Sequence, residues 1–187
     1  MANKDAAFGL KPIGKVGQNR DNQGLSEYNV SDSATAIYFQ DPLTIDATGT
    51  VKVAAAGNAL IGSLNGIFYT DANTSKPTWA NNLKGSNTAT DIVAFVADDP
   101  YERFEIQCES TANVNDIFQQ GDIVYAAGDS ANYVSKVEIQ KASFTSATAQ
   151  LKIVGISKDP DNNDTANANV NLVCTINEHV LKQTTGI

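Results

Sequence analysis

Apolar residues in this chain come in short bursts between turn-forming residues, and within a burst they are continuous or alternate with polar ones. The stretch Asp91–Glu109 shows this best. Val93-Ala94-Phe95-Val96 is a continuous apolar run, as expected of a strand covered on both faces. After Asp98-Asp99-Pro100, Phe104, Ile106 and Cys108 alternate with Glu105, Gln107 and Glu109, the period-2 signature of a strand with one wet face. Pro100 presets φ for a turn, and the aspartates can accept from nearby backbone N–H groups. The pattern predicts a hairpin at the centre of the core, packed through Phe95, Phe104 and Ile106.

The same grammar recurs in Leu151–Ile156, Asp159-Pro160, and the alternation of Val170, Leu172, Cys174 and Ile176. These two segments are the expected neighbours of the central hairpin. Leu43 and Ile45 face Val51 and Val53 across Thr48-Gly49, and Leu60–Tyr69 reads as a strand bent at Gly62 or Gly66. Gly121–Ala126 and Val137 with Ile139 add further short strands, and Asp116–Gln120 suits one helical turn. No segment carries an amphipathic helix of normal length. The prediction is an all-β fold: a single-domain β-barrel or jelly-roll-like sandwich over residues 30–187.

Residues 1–29 break the pattern. Gly9, Pro12, Gly14, Gly17 and Gly24 interrupt isolated apolar residues Phe8, Leu10, Ile13 and Val16, so no period persists. This predicts an extended N-terminal arm, separate from the core, whose apolar residues dock on a partner. The sole tryptophan, in Pro77-Thr78-Trp79, is expected to anchor its polar loop.

The chain has 187 residues, 42% hydrophobic but only 18% charged, with a net charge of −8. Asn, Thr, Ser, Gly and Ala stand where Lys and Glu are usual, which suits turn-rich β-structure and surfaces that meet protein. Four of the 13 basic residues lie in the first twenty positions against one acid, Asp5. The remaining body is strongly acidic and should repel phosphate backbones, so nucleic-acid binding is not expected. Nor is a membrane span, since no apolar run approaches the required length. The first 25 residues lack the apolar run of a secretory signal, so synthesis and folding in a cytoplasm are expected. Cys108 and Cys174 each sit in an alternating apolar strand and read as small buried hydrophobes.

Candidate chemistry is sparse. The one histidine, His179, lies outside any Gly-x-Ser-x-Gly elbow and reads as an exposed or capping residue after the last strand. Two distant cysteines and one histidine do not make a zinc site. The run Asp159-Pro160-Asp161-Asn162-Asn163-Asp164 begins like a calcium loop but has Asp164 in place of the glycine and Val170 in place of the closing glutamate. Turns closed by Asx side chains explain it more simply. Asp98, Asp99, Glu102 and Glu105 cluster around one turn without signs of a sugar-sized cleft. Phosphate-binding glycine loops are missing. No catalytic, cofactor-binding or metal-binding residues are expected, and the chain reads as a non-enzyme.

Three blocks together resemble a family of small virion structural proteins of tailed, often marine, bacteriophages. The first is Met1-Ala2-Asn3-Lys4-Asp5-Ala6-Ala7-Phe8-Gly9-Leu10-Lys11-Pro12; the second joins Asp98-Asp99-Pro100 to Phe104-Glu105-Ile106-Gln107. The third comprises Leu151-Lys152-Ile153-Val154-Gly155, Asp161-Asn162, Ala168 and Ile176-Asn177-Glu178-His179. The resemblance implies a capsid decoration or cement protein, bound to the outer face of the major capsid protein shell and located on the virion. On that reading the body assembles as a homotrimer beside neighbouring decoration subunits, with Phe8, Leu10, Lys11, Pro12 and Ile13 of the arm contacting the partner. Two alternatives stay open: a neck, tail or other minor virion component, and a carbohydrate-binding β-sandwich with Trp79, Tyr69 or Tyr101 as stacking platforms.

Overall fold

A computed structural model describes residues 2–17, 24–31 and 35–183. It is all-β, as the residue pattern predicts: among the described residues there are strands and three single 3-10 turns, but no α-helix. The strands are β1 (Lys11–Lys15), β2 (Ser26–Asn29), β3 (Pro42–Ile45), β4 (Val51–Val53), β5 (Gly62–Thr70), β6 (Pro77–Ala80) and β7 (Val93–Ala97). They continue with β8 (Glu102–Gln107), β9 (Gln120–Gly121), β10 (Ile123–Val124), β11 (Glu138–Ile139), β12 (Leu151–Ile156) and β13 (Asn171–Ile176).

Two antiparallel sheets pack as a sandwich. The first has the order β1-β8-β13-β12-β9 and the second β2-β7-β5-β3-β4, with β10 and β11 forming a separate ribbon. In the second sheet β5 is long enough to pair β3 at its start and β6 at its end. Alternation sends Leu60 and Ala97 toward the first sheet's core, with Phe104, Ile106, Leu151, Ile153, Leu172 and Cys174. Their neighbours Ile61, Leu64, Ile67, Ala94 and Val96 join a second apolar cluster capped by Ile37, Leu83 and Ile92. The β3–β4 and β12–β13 pairs form in the expected arrangement.

The central hairpin does not. β7 lies in the second sheet and β8 in the first, and no ladder joins them. Asp98-Asp99-Pro100 is a corner that carries the chain from one sheet to the other, a common way to close a sandwich. Of the expected neighbours of β8, β13 is one, but the other is β1. Close approach at the corner depends on Gly62: its φ is +156°, and a Cβ there would lie 2.1 Å from the Ala97 carbonyl oxygen.

The N-terminal region is likewise not a separate arm. β1 pairs β8 in the first sheet and β2 pairs β7 in the second, so both are structural members of the body. Leu10 is fully buried in the first core; its N–H donates to the Gln40 carbonyl, and its own carbonyl accepts from Ser63 Oγ at 2.5 Å. Both are short edge strands; Pro12 and Gly14, which an edge strand tolerates, hid β1, and β2 is only four residues long. Part of the expected arm, Met1 and residues 18–23, lies outside the described residues.

Candidate functional site

The segment before β1 runs over its own body and is held there by polar side chains. Asn3 Nδ2 donates to the carbonyls of Asp164 and Ala168, and its Oδ1 accepts from Asp164 N–H at 3.1 Å. The Lys4 carbonyl accepts from Asn162 Nδ2 and Gln107 Nε2, and Lys4 pairs with Asp161. Gly9 supplies the bend, since with φ +79° a Cβ would overlap the Gln40 carbonyl.

In β1 and the residues just before it, the predicted partner residues separate by burial. Leu10 points inward, which removes it from any partner contact. Phe8 is half-buried, with Lys11 Nζ 5.9 Å from its ring centroid, and Lys11 also pairs with Glu105 at 3.3 Å. Pro12 is half-buried opposite Phe104. Ile13 is the extra residue of a β-bulge: Pro12 faces Phe104 and Gly14 faces Arg103, leaving Ile13 unpaired and 42% exposed. Val16, just beyond the strand, is 55% exposed. An edge strand with outward apolar residues is therefore what remains of the predicted binding arm.

A second apolar surface was not foreseen as a unit. Trp79 does not anchor a loop; it lies in β6 and is 66% exposed. Its ring contacts Phe68 at 5.2 Å and Phe95 at 4.7 Å between centroids. Phe95 thus faces outward rather than into the core. Tyr69 alternates with Phe68 and packs on the second apolar cluster instead, while Tyr101 is exposed at the sheet-to-sheet corner. The signal available in the sequence was Phe95's alternation with Ala94 and Val96, masked because all three are apolar.

A concavity of about 530 Å³ is lined by Asp5, Asp129, Asn132, Ser135, Lys136 and Glu138 among others. Burial, with Asp5 and Glu109 adding, raises the Glu138 carboxyl to about 7. Burial likewise raises Asp41 to about 6, against hydrogen bonds from Ser135 and the Tyr38 N–H. His179 is buried rather than exposed. It does cap the final 3-10 turn, its Nδ1 accepting from Leu181 N–H at 3.1 Å. Burial and then Lys182 lower its pKa to about 4, against the carboxylates of Asp98 and Asp99.

These shifts fix a pH dependence. Between their unfolded and folded pKa values, Asp41 and Glu138 hold protons when folded that the unfolded chain has released, so acid favours folding. His179 acts oppositely between 6.5 and about 4. Two carboxyls outweigh one imidazole, so the melting temperature should rise as pH falls from about 7.5 to about 5. Asp46, Asp71, Asp91 and Asp164 accept turn hydrogen bonds that hold them below the usual range, so stability should fall again below about pH 4. Calorimetry across this range checks both limbs. Glu138→Gln should flatten the upper one, and a melting temperature that falls steadily toward pH 5 would contradict the assignment.

Cys108 and Cys174 are both buried and unbridged in the first core, where burial raises their pKa values and leaves them as thiols. In the former calcium-loop candidate, Asp159 accepts from Asp161 N–H and Asp164 from Ala166 N–H, the Asx turns that the spacing predicts. No group of three or more His, Cys, Asp and Glu side chains is placed to hold a metal ion among the described residues. None of the described helices is long and apolar enough to cross a membrane. Comparison with protein-family models, curated proteins and solved structures found no match to this chain.

Proposed function

We propose that this chain is a structural protein of a tailed-bacteriophage virion, a decoration or cement protein that binds the outer surface of the major capsid protein shell and stabilises it. The observation that carries the reading is the ordered set of sequence blocks, from Met1–Pro12 to Ile176–His179, that resembles that family. The surface adds support. Ile13 on an edge strand and Val16 just beyond its end stand outward, near half-buried Phe8 and Pro12, and are apolar groups that the described body leaves open to water. Repeated lattice contacts gain from such edges, and self-association as a homotrimer would multiply them around a symmetry axis. The role requires no catalytic group.

Copy number in purified virions, measured by quantitative mass spectrometry, tests the location. Hundreds of copies fit a shell protein, whereas about a dozen or fewer would move the reading to the neck or tail. Absence from virions would overturn it. Removing the N-terminal residues is a poor test of the contact, because Leu10 and β1 belong to the fold. The double substitution Ile13→Asp and Val16→Asp changes only exposed positions and should reduce occupancy on add-back to capsids lacking this chain by roughly tenfold or more. Unchanged occupancy would exclude this edge as the contact.

A further inference from the structure

The outer face of the second sheet has the chemistry of a neutral-sugar platform. Strand register builds it row by row. Asn29 of β2, Val93 of β7, Phe68 of β5 and Trp79 of β6 lie side by side in one row, and Glu27, Phe95 and Gly66 in the next. Directly paired residues share a face, so all of these project away from the second apolar cluster. A bulge between Leu64 and Gly66 sets this register and puts a glycine opposite Phe95. With no side chain at Gly66, the Trp79 ring reaches diagonally across it to Phe95, the two planes only 32° apart. Trp79 is thereby supported from one side by two rings while 66% exposed on the other.

A shallow cavity of about 380 Å³ lies over this glycine, between Trp79, Phe95 and Leu25, with Asn65 and Asn81 at its margin. A smaller hollow of about 80 Å³ shares Leu25 and Asn65 and continues toward Pro12 and Asp99. Together they form a track rather than a single depression.

We propose that this track binds a neutral polysaccharide, with the flat C–H face of one pyranose ring stacked on Trp79. The rings supply the apolar contact, and the margin supplies amides, which donate and accept at once as sugar hydroxyls do. Charge selects among ligands. None of β2, β5, β6 and β7 contains Lys or Arg, and Glu27 stands beside Phe95. Among the described residues, phosphorylated, sulfated or uronic ligands, and nucleic acids that would also stack, find no cation on these four strands, and Lys15 near the far end of the track is paired with Asp99. A protein partner would need about 800 Å² of complementary surface, far more than three rings and a leucine provide. The inference stands independently of the capsid reading, since a surface-bound sugar site is compatible with any location.

Trp79 is the only tryptophan, so its fluorescence reports on this face alone. Cellotetraose, maltotetraose and tri-N-acetylchitotriose serve as neutral probes for titration of the full chain. At least one should give a saturable emission change, with a dissociation constant on the order of 0.1–10 mM. By calorimetric titration, Trp79→Ala should weaken that binding roughly tenfold or more, and Trp79→Phe should retain part of it. Circular dichroism and melting of each variant separate lost binding from lost folding. The proposal is overturned if no probe gives an emission change that passes half of its fitted maximum by about 20 mM, or if Trp79→Ala binds as the parent does. It is equally overturned if emission shifts with protein concentration alone while sedimentation shows self-association, for a second copy then covers the face.

Discussion

Phe104→Ala should lower the free energy of unfolding by about 3–5 kcal/mol, a large part of the roughly 5–15 kcal/mol that holds a typical domain together. Phe104 is the largest of the fully buried side chains, in the middle of β8. Its backbone is flanked on both sides, opposite Pro12 of β1 and Cys174 of β13. Neighbours that are fixed by ladders cannot collapse into the space left by the ring, so the cavity term adds to the lost transfer energy. Phe118 is the control. It is 69% exposed, so Phe118→Ala should cost little. Urea unfolding followed by circular dichroism measures both. A cost below about 1.5 kcal/mol for Phe104→Ala would mean that the first core is looser than its burial indicates.

Gly62→Ala should be comparably severe despite adding one methyl group. The position has φ +156°, which L side chains rarely adopt, and the new Cβ would lie 2.1 Å from Ala97 O and 2.9 Å from Ala97 C. Both atoms are backbone, so no rotamer change relieves the overlap. Either β5 and β7 separate at the corner or the Asp98–Pro100 turn shifts. Strain and lost packing together should exceed about 3 kcal/mol and leave little soluble protein at elevated temperature. Gly155→Ala provides the contrast, because its Cβ would meet nothing within 4 Å. If both variants melt within a few degrees of the parent, the close approach is not a requirement of the fold.

The all-β class was legible because strand grammar is local. Leu43, Ile45, Val51 and Val53 around Thr48-Gly49 form the expected pair, as do β12 and β13. Pairing between distant strands was not, since alternation specifies a face and says nothing of the neighbour. β7 and β8 are adjacent in sequence and joined by a turn, and local pattern gives no reason to send them to different sheets. The direction of Phe95 was hidden by apolar neighbours on either side. Leu10 was misread for another reason: a single buried side chain between glycine and proline has no period, and only its tertiary setting shows that it is core. His179 was legible as a cap but not as buried, because its burial depends on a bridge to Leu60 far away in sequence.

The hold of Asn3 on the Asp164–Ala168 loop ties together residues 161 to 165 positions apart. During synthesis β1 is available to β8 as soon as β8 emerges, but β13 and the loop that clasps the lead-in to β1 are made later. The first sheet therefore completes late in synthesis, with β8 transiently open on its β13 side, whereas β3 and β4 can meet early. Closing so long a loop makes folding slow. It also means that release of the leading residues, rather than fraying at the other end, would be an early step in opening the first sheet. Asn3 and the Asp164–Ala168 loop act together as a latch on a sheet that forms late and opens first at the same place.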